Sequence, residues 1–314
     1  MPTSSRKFGI EIEHYSGHPE WDGDLDGPTD SWLIRELEDE GIEMRPAGYM
    51  HDTTRWWKIV SDSSLNDNGM ELVSPILGGD AGLQEVSTVL THVKRGGGFV
   101  NHGCGLHVHV DARDFNLEHM KRLATFWIDW EDHFYLLVSP ERRRNGYCEQ
   151  IYSQPYPSSL RINTNNINPQ RAYCLRITRE RLLRQQRTDS LAERIAQAGS
   201  LDGIRAIGDL MNRHASLGFQ SYWNNGSVEV RLHQGSLDTR VVRTWIKFCC
   251  SVLDLARSSQ KLPIVARLQG KPAPKKYYQE SMKRVLGVLA EYGAPEEALL
   301  GRTRRTLESP SRVL

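Results

Sequence analysis

Polar and apolar residues alternate with a period of two in three separate stretches of the chain. Each stretch sets two polar side chains among branched apolar residues: Glu11 with Glu13, His107 with His109, and Glu229 with Arg231. In a β-strand, residues two apart point to the same face, so each pair shares one face and its apolar neighbours the other. The pattern predicts three half-buried strands, which we call the ladder strands because each carries a ladder of two polar side chains. An open sheet whose polar face is simply solvated would show the same alternation.

The residue types on these faces favour a chemical role over simple solvation. They are carboxylates and imidazoles, which are ligands of divalent metals. If the three strands are neighbours, two acids and a histidine can hold one ion, and Glu13 with Asp62 and Glu71 can hold a second. Oxygen-rich sites with one imidazole favour Mg²⁺ or Mn²⁺ over Zn²⁺. Arg231, beside Glu229, is placed to meet anionic oxygen. Solvated strand ends are the alternative for Asp62 and Glu71.

Helical periodicity and further strand signals occupy the rest of the chain. Capping residues and apolar stripes predict helices at 31–41, 82–95, 116–139, 178–198, 201–213 and 239–257. Strands are predicted at 42–45, 56–60 and 70–75, and residues 219–223 are predicted to form a hairpin with 227–232 across an Asn-Asn-Gly turn. Helices that follow the polar-faced strands predict an α+β fold in which one sheet face is packed and the other carries the site.

Two segments interrupt this pattern. Residues 141–173 are polar and rich in Arg, Asn and Tyr, which predicts a long lid or binding loop whose arginines hold phosphate or are simply solvated. Residues 258–276 have the Lys, Pro, Gly and Ser content of a linker, followed by helices at 279–292 and 295–307. We therefore expect a catalytic domain at 1–258 and a linker with a helical extension at 259–314.

Composition and net charge limit the classes of binding partner and the cellular location that we expect. The 314 residues carry a net charge of +1, which gives no electrostatic argument for nucleic acid or an anionic membrane and favours a small-molecule or peptide substrate. The five cysteines lack a C-x-x-C spacing, which suits a reduced cytosol. We see no signal peptide and no apolar run of membrane-spanning length, so a cytoplasmic protein is expected.

The motifs together resemble the amidoligase family of the carboxylate-amine ligase superfamily, to which glutamine synthetase and glutamate-cysteine ligase belong. They run in order over about residues 8 to 250: Gly9-Ile-Glu-Ile-Glu13, Asp62-Ser-Ser-Leu65, Gly69-Met-Glu-Leu-Val-Ser-Pro75, Cys104-Gly-Leu-His-Val-His-Val110 and Val228-Glu-Val-Arg-Leu-His233. The resemblance implies a curved antiparallel sheet that forms a funnel, with helices on its outer face and a glutamine synthetase-like catalytic core.

The resemblance also implies a reaction and roles for single residues. The reaction is ATP-dependent joining of a carboxylate to an amine through an acyl-phosphate. By motif position, Glu11, His107 and Glu229 hold one Mg²⁺ ion, Glu13 and Glu71 hold the other, and Asp62 is a less certain member of the second site. Arg231 stabilises the transferred phosphoryl group, and His109 lies beside the nucleotide phosphates.

Two other functions stay open at this stage. Histidines near acids also suit a divalent-metal hydrolase of an amide or phosphoester, which would not need the arginines for a nucleotide. In a non-catalytic, metal-stabilised binding protein, the same polar side chains would hold a metal ion for structural stability. The identity of the carboxylate and the amine, a partner that supplies ammonia or a carrier, and assembly into a homo-oligomer are likewise open.

Overall fold

The structure is a computed structural model that describes residues 4–17, 21–22, 29–48, 50, 52–65, 69–151, 189–265 and 274–308. Parts of the predicted turn at 66–69, the loop 141–173, the helix 178–198 and the linker 258–276 lie outside these ranges. In the described chain the strands are β1 (Lys7–Tyr15), β2 (Trp21–Asp22), β3 (Thr29–Asp30), β4 (Met44–Pro46), β5 (Trp57–Val60), β6 (Gly69–Val73), β7 (Leu77–Gly78), β8 (Gly105–Asp111), β9 (Leu217–Gly218) and β10 (Ser227–Gln234).

An open, mostly antiparallel sheet organises the fold. Its strand order is β4-β5-β6-β1-β8-β10-β9, with β7 also paired to β1 and a parallel pairing between β4 and β5. The three predicted ladder strands are neighbours at its centre, since β8 lies between β1 and β10. Their apolar residues are buried on the opposite face, as shown by Ile10, Ile12, Val108, Val110 and Val230 at 1% exposure or less.

Helices supply the other half of the core. They are α1 (Ser31–Asp39), α2 (Gly79–Arg95), α3 (Leu117–Phe134), α4 (residues 189–197), α5 (Leu201–Arg205), α6 (Gln220–Asn225), α7 (Thr239–Arg257), α8 (Lys275–Ala290) and α9 (Glu296–Glu308). Asn116 caps α3 by accepting from the His119 N–H, and Asp238 caps α7 by accepting from two backbone N–H groups. The aromatic stripes of α3 and α7 then join the buried sheet residues in one apolar core. None of the described helices has a stretch long and apolar enough to cross a membrane.

The predicted hairpin at 219–232 is wrong. Residues Gln220–Asn225 form α6, and the strand that pairs with β10 on this side is Leu217–Gly218. Gly226 ends α6 with φ of 77° in the left-handed region, so the Asn-Asn-Gly signal marks a helix end and not a hairpin turn. Both structures need a residue with positive φ at this point, and the local sequence does not separate them.

The predicted helix at 201–213 is also shorter than expected. It divides into α5 and a 3₁₀ turn at Gly208–Met211. Glycine at 203 and 208 lowers helix propensity along this segment, which favours the break. The predicted helix at 116–139 ends as α-helix at Phe134 and continues as a 3₁₀ turn at Tyr135–Leu137.

The C-terminal helices pack on the rest of the molecule. His133 of α3 lies with its ring centroid 5.1 Å from that of Tyr278, and the Ser251 hydroxyl donates to the Tyr292 carbonyl at 3.0 Å. Arg302 of α9 donates through Nη1 to Nε2 of His233 at 2.8 Å, while Nδ1–H of His233 donates to the Gln234 carbonyl at 2.6 Å. These contacts tie α9 to β10.

The buried His233 makes stability depend on pH. Burial, together with the nearby charge of Arg302, lowers the pKa of His233 from 6.5 to about 3. Below pH 6.5 the unfolded chain therefore binds a proton that the folded chain does not, so stability falls as the pH falls. Near pH 5 the loss from this residue is about 2 kcal/mol. We expect His233→Gln, which does not titrate, to show a drop in urea-unfolding free energy between about pH 7.5 and about pH 5 that is smaller by that amount. An equal drop in both proteins would contradict the assignment.

Candidate metal and catalytic site

Six polar side chains from the three central strands and β6 meet on the open face of the sheet. The register sets Glu11 opposite His107, Glu229 opposite His109, and Glu13 opposite Glu71. Directly opposite residues share a face, so the separate ladders become one polar surface. Glu11 lies at its centre, with Oε2 at 3.1 Å from Nδ1 of His107 and Oε1 at 3.1 Å from Nε2 of His109.

Two sets of three side chains have the geometry of metal sites. Glu11, His107 and Glu229 each offer a ligand atom within 4.8 Å of the others, and so do Glu13, Glu71 and His107. The two sets share His107, whose Nδ1 lies 3.7 Å from Glu229 and whose Nε2 lies 3.8 Å from Glu13. Carboxylates with one shared imidazole fit hard divalent cations such as Mg²⁺ or Mn²⁺.

The carboxylates are crowded enough to perturb one another. Burial and the charges of Glu11, Glu13 and Asp62 raise the pKa of Glu71 well above its usual range, and burial raises the pKa of Glu13. Burial also acts to raise the pKa of Glu11, but the charge of His109 and hydrogen bonds from both histidines outweigh it and hold the pKa well below the usual value. A divalent cation bound among these three acids would favour their ionised forms and offset their mutual repulsion.

His109 is held between the acids and a fixed hydroxyl. Its Nδ1 lies 3.1 Å from the Ser227 hydroxyl, which donates to the Asn225 side-chain oxygen at 2.6 Å. Burial lowers the pKa of His109, but the charges of Glu11 and Glu229 dominate and raise it to about 9. His109 therefore presents a cationic imidazole beside the first set of ligands.

Arg231 lies at a β-bulge in β10. The pairing with β8 shifts by one residue between Val230 and His233, so two residues of β10 lie opposite His107. The guanidinium forms a short ion pair with Glu229 through Nη1, and Nε donates to the Tyr147 carbonyl at 3.4 Å. Arg231 follows Glu229 by two positions on the same face of β10, so its cation lies directly beside a candidate metal ligand.

Arg142 holds this bulge through two backbone carbonyls, and sequence reasoning did not single it out. Its side chain is 1% exposed, and it donates to the carbonyls of Arg231 at 2.8 Å and Leu232 at 3.3 Å. It lies in the arginine-rich segment for which the sequence predicts a polar loop, with solvated arginines as one alternative. A 3₁₀ turn at Pro140–Arg144 carries it inward, and a run of arginines gives no sign of which one is buried.

Asp62 lies near the candidate metal sets but belongs to neither of them within the described residues. Its Oδ1 accepts from the Ser64 N–H at 2.7 Å, and its charge raises the pKa of both Glu13 and Glu71. The structure thus brings together Glu11, Glu13, Glu71, His107, His109, Glu229 and Arg231, and it leaves Asp62 at the margin.

Two clefts open onto this surface. The first is lined by residues that include Lys7, Asp52, Ile76, His109, Arg113 and Ser227. The second is lined by residues that include Met50, Val60, Ser61, Asp62, Ser63 and Glu71. Glu11, Lys58 and Val73 line both clefts. Lys58 was not predicted as a site residue; its signal is a single lysine within the apolar run Trp57-Lys-Ile-Val60.

Comparison with known protein families identifies the family of this chain. The family described as "Putative amidoligase enzyme" matches residues 4–253. The chain belongs to this amidoligase family. The resemblance predicted from the motifs is therefore confirmed, and membership supports a ligase-type enzyme.

Other comparisons add less. A solved bifunctional glutathione synthetase from Pasteurella multocida is similar over 98% of this amidoligase chain, with 12% identity and a TM-score of 0.40. The match spans 48% of that protein's length. No curated protein matches the chain.

Proposed function

We propose that this protein is an ATP-dependent carboxylate-amine ligase that forms an amide or isopeptide bond through an acyl-phosphate on an amino-acid or peptide-like substrate. The observation that carries the proposal is the pair of ligand sets sharing His107, with Arg231 ion-paired to a ligand of the first set, in a member of the amidoligase family. Two divalent ions and an arginine are the usual equipment for phosphoryl transfer.

The arrangement of the possible metal-ligand atoms supports a specific role for each residue. Glu11, His107 and Glu229 would hold one Mg²⁺ or Mn²⁺ ion, and Glu13 with Glu71 the other. When bound, such ions neutralise charge on the nucleotide phosphates. Asp62 would act on the second ion at most indirectly. A sheet that curves into a funnel, as in glutamine synthetase, belongs to the same proposal, as does a cytoplasmic location.

The proposed reaction has two steps. A carboxylate oxygen of the substrate attacks the γ-phosphorus of ATP, and the bond to ADP breaks with its electron pair leaving on ADP. The amine then attacks the carbonyl carbon of the acyl-phosphate; phosphate leaves with the bonding pair, and the nitrogen loses a proton. Arg231 would hold the transferred phosphoryl group, where its charge opposes the negative charge that develops. His109, cationic and fixed by Ser227, would bind nucleotide phosphate.

The proposal predicts magnesium-dependent release of ADP and phosphate from ATP when pooled amino acids and short peptides are supplied. Turnover is expected to need both a carboxylate and an amine, and to be lost in Glu229→Gln because an amide does not hold the cation or the Arg231 pair. Glu118→Gln is the matched control, since its side chain is 72% exposed on α3. Folded protein that neither binds magnesium-ATP nor turns over would contradict the ligase, and cleavage of peptides or phosphoesters would then be measured.

A further inference from the structure

Lys58 is a buried lysine that makes no ion pair within the described residues. It is 3% exposed, and its Nζ donates to the carbonyls of Met50 at 3.1 Å and Asp52 at 2.8 Å. Buried lysine is rare unless it is paired with an anion, because an ammonium is costly to remove from water. Two carbonyls use two of its three N–H donors, and the described residues offer no acceptor to the third, which is therefore open to a ligand.

The sheet register points Lys58 at the centre of the candidate site. Lys58 of β5 is opposite Val73 of β6, Val73 is opposite Glu11 of β1, and Glu11 is opposite His107 of β8. Side chains in such a row share one face, so Lys58 belongs to the polar face. Together with Glu11 and Val73 it also forms the boundary at which the two clefts meet.

The two clefts differ in charge. The first has four cationic residues, Lys7, Lys58, His109 and Arg113, against three acids, Glu11, Asp52 and Asp111, so it is the better suited of the two to a polyanion such as a triphosphate. The second carries Asp62 and Glu71 and no cation besides Lys58 among its lining residues, so it suits a group that is neutral or cationic, such as an amine. The acyl-phosphate, which takes its phosphoryl group from the nucleotide and is then attacked by the amine, would lie at their boundary.

Charge balance supplies the reason for a lysine there. Burial lowers the pKa of Lys58, and the charges of Glu11, Glu71 and Asp52 act against that effect. Glu11 and Glu71 are proposed metal ligands, one in each set. With both bound to metal ions, the ammonium would keep only the charge of Asp52 among these three, and an incoming anion would restore the balance.

We propose that Lys58 is a catalytic residue that binds the anionic oxygens of the transferred phosphoryl group where the first cleft, holding the nucleotide, meets the second cleft, holding the amine. This rests on the proposed ligase function. A purely structural alternative exists, in which Lys58 only fastens the segment around Met50 and Asp52 to β5.

The test compares the affinities of two nucleotides that differ in the γ-phosphoryl group. Isothermal titration would measure binding of magnesium-ADP and of the magnesium complex of the β,γ-imido analogue of ATP. We expect Lys58→Met to weaken the analogue by about 10- to 100-fold while changing ADP little, since one charge-assisted hydrogen bond is lost. Lys58→Arg should recover part of the loss because the charge remains. Lys276→Met is the matched control, with a side chain that is 82% exposed on α8.

Retained binding of Mn²⁺ would show that the Lys58→Met protein is folded at the site. An unchanged ratio of the two affinities would overturn the proposal, and so would equal weakening of both nucleotides, which is the result expected of a structural fastener. Wild-type protein that binds neither nucleotide would overturn the ligase function itself, and the role of Lys58 with it.

Discussion

Glu11→Gln is expected to lower the affinity for Mn²⁺ by more than about 100-fold and to abolish turnover. Loss of a group that only orients a ligand costs 10- to 100-fold in metal affinity, and Glu11 is a proposed ligand itself. Its carboxylate lies 3.1 Å from both His107 and His109 and lines both clefts. Glutamine keeps the shape but removes the charge that attracts a cation.

Mn²⁺ titration followed by electron paramagnetic resonance would measure the affinity, with circular dichroism to establish that the variant is folded. The pKa of His109 should fall in the same variant, because the Glu11 charge is one of the two that raise it to about 9. Glu118→Gln should bind Mn²⁺ as the wild type does. Wild-type affinity in folded Glu11→Gln would remove Glu11 from the ligands and leave the first set incomplete.

The sequence predicts the faces of the ladder strands well, and the reason is local. Period-two alternation sets which side chains share a face, so the pairing of Glu11 with Glu13 and of His107 with His109 needs no knowledge of the fold. The register is different. In the structure Glu11 lies opposite His107, and Glu13 lies opposite Glu71 two positions further along β1. These pairings depend on which strands are neighbours and on their register, and packing across the sheet fixes both.

The residues that sequence reasoning missed support the site through tertiary contacts. Arg142 acts on Arg231 through a backbone carbonyl 89 positions away, and the β10 bulge that it holds has no local signature. Lys58 reaches the site from β5, two strands away from β1. The error at α6 has the same origin, since Gly226 suits a helix end and a hairpin equally and the local sequence does not decide between them.

Asp62 differs from the other predicted metal ligands. The sequence groups it with Glu13 and Glu71 at a second ion, and in the structure it lines the second cleft but belongs to neither ligand set of the described residues. A carboxylate near the metal ligands can still act through its charge, as its effect on the pKa of Glu13 and Glu71 indicates. Its proposed influence is therefore electrostatic.

Arg231→Lys is expected to reduce turnover by about 1,000-fold while leaving the affinity for Mn²⁺ nearly unchanged. An arginine that stabilises a transferring phosphoryl group contributes a factor of this size or larger. Lysine keeps one positive charge, but it lacks the planar set of donors that here contacts Glu229 and the Tyr147 carbonyl with different nitrogens. Single-turnover measurements at saturating ATP would separate the chemical step from binding.

The contrast with Glu11→Gln makes this result diagnostic. Both variants should lose turnover. Only Glu11→Gln should lose metal affinity, because Glu229 keeps its carboxylate when Arg231 is replaced. Arg240→Lys is the matched control, since that guanidinium is 91% exposed on α7. A large loss of Mn²⁺ affinity in folded Arg231→Lys would mean that the arginine mainly orders Glu229 for the ion, and the phosphoryl group would then depend on Lys58 and His109 for its cationic contacts.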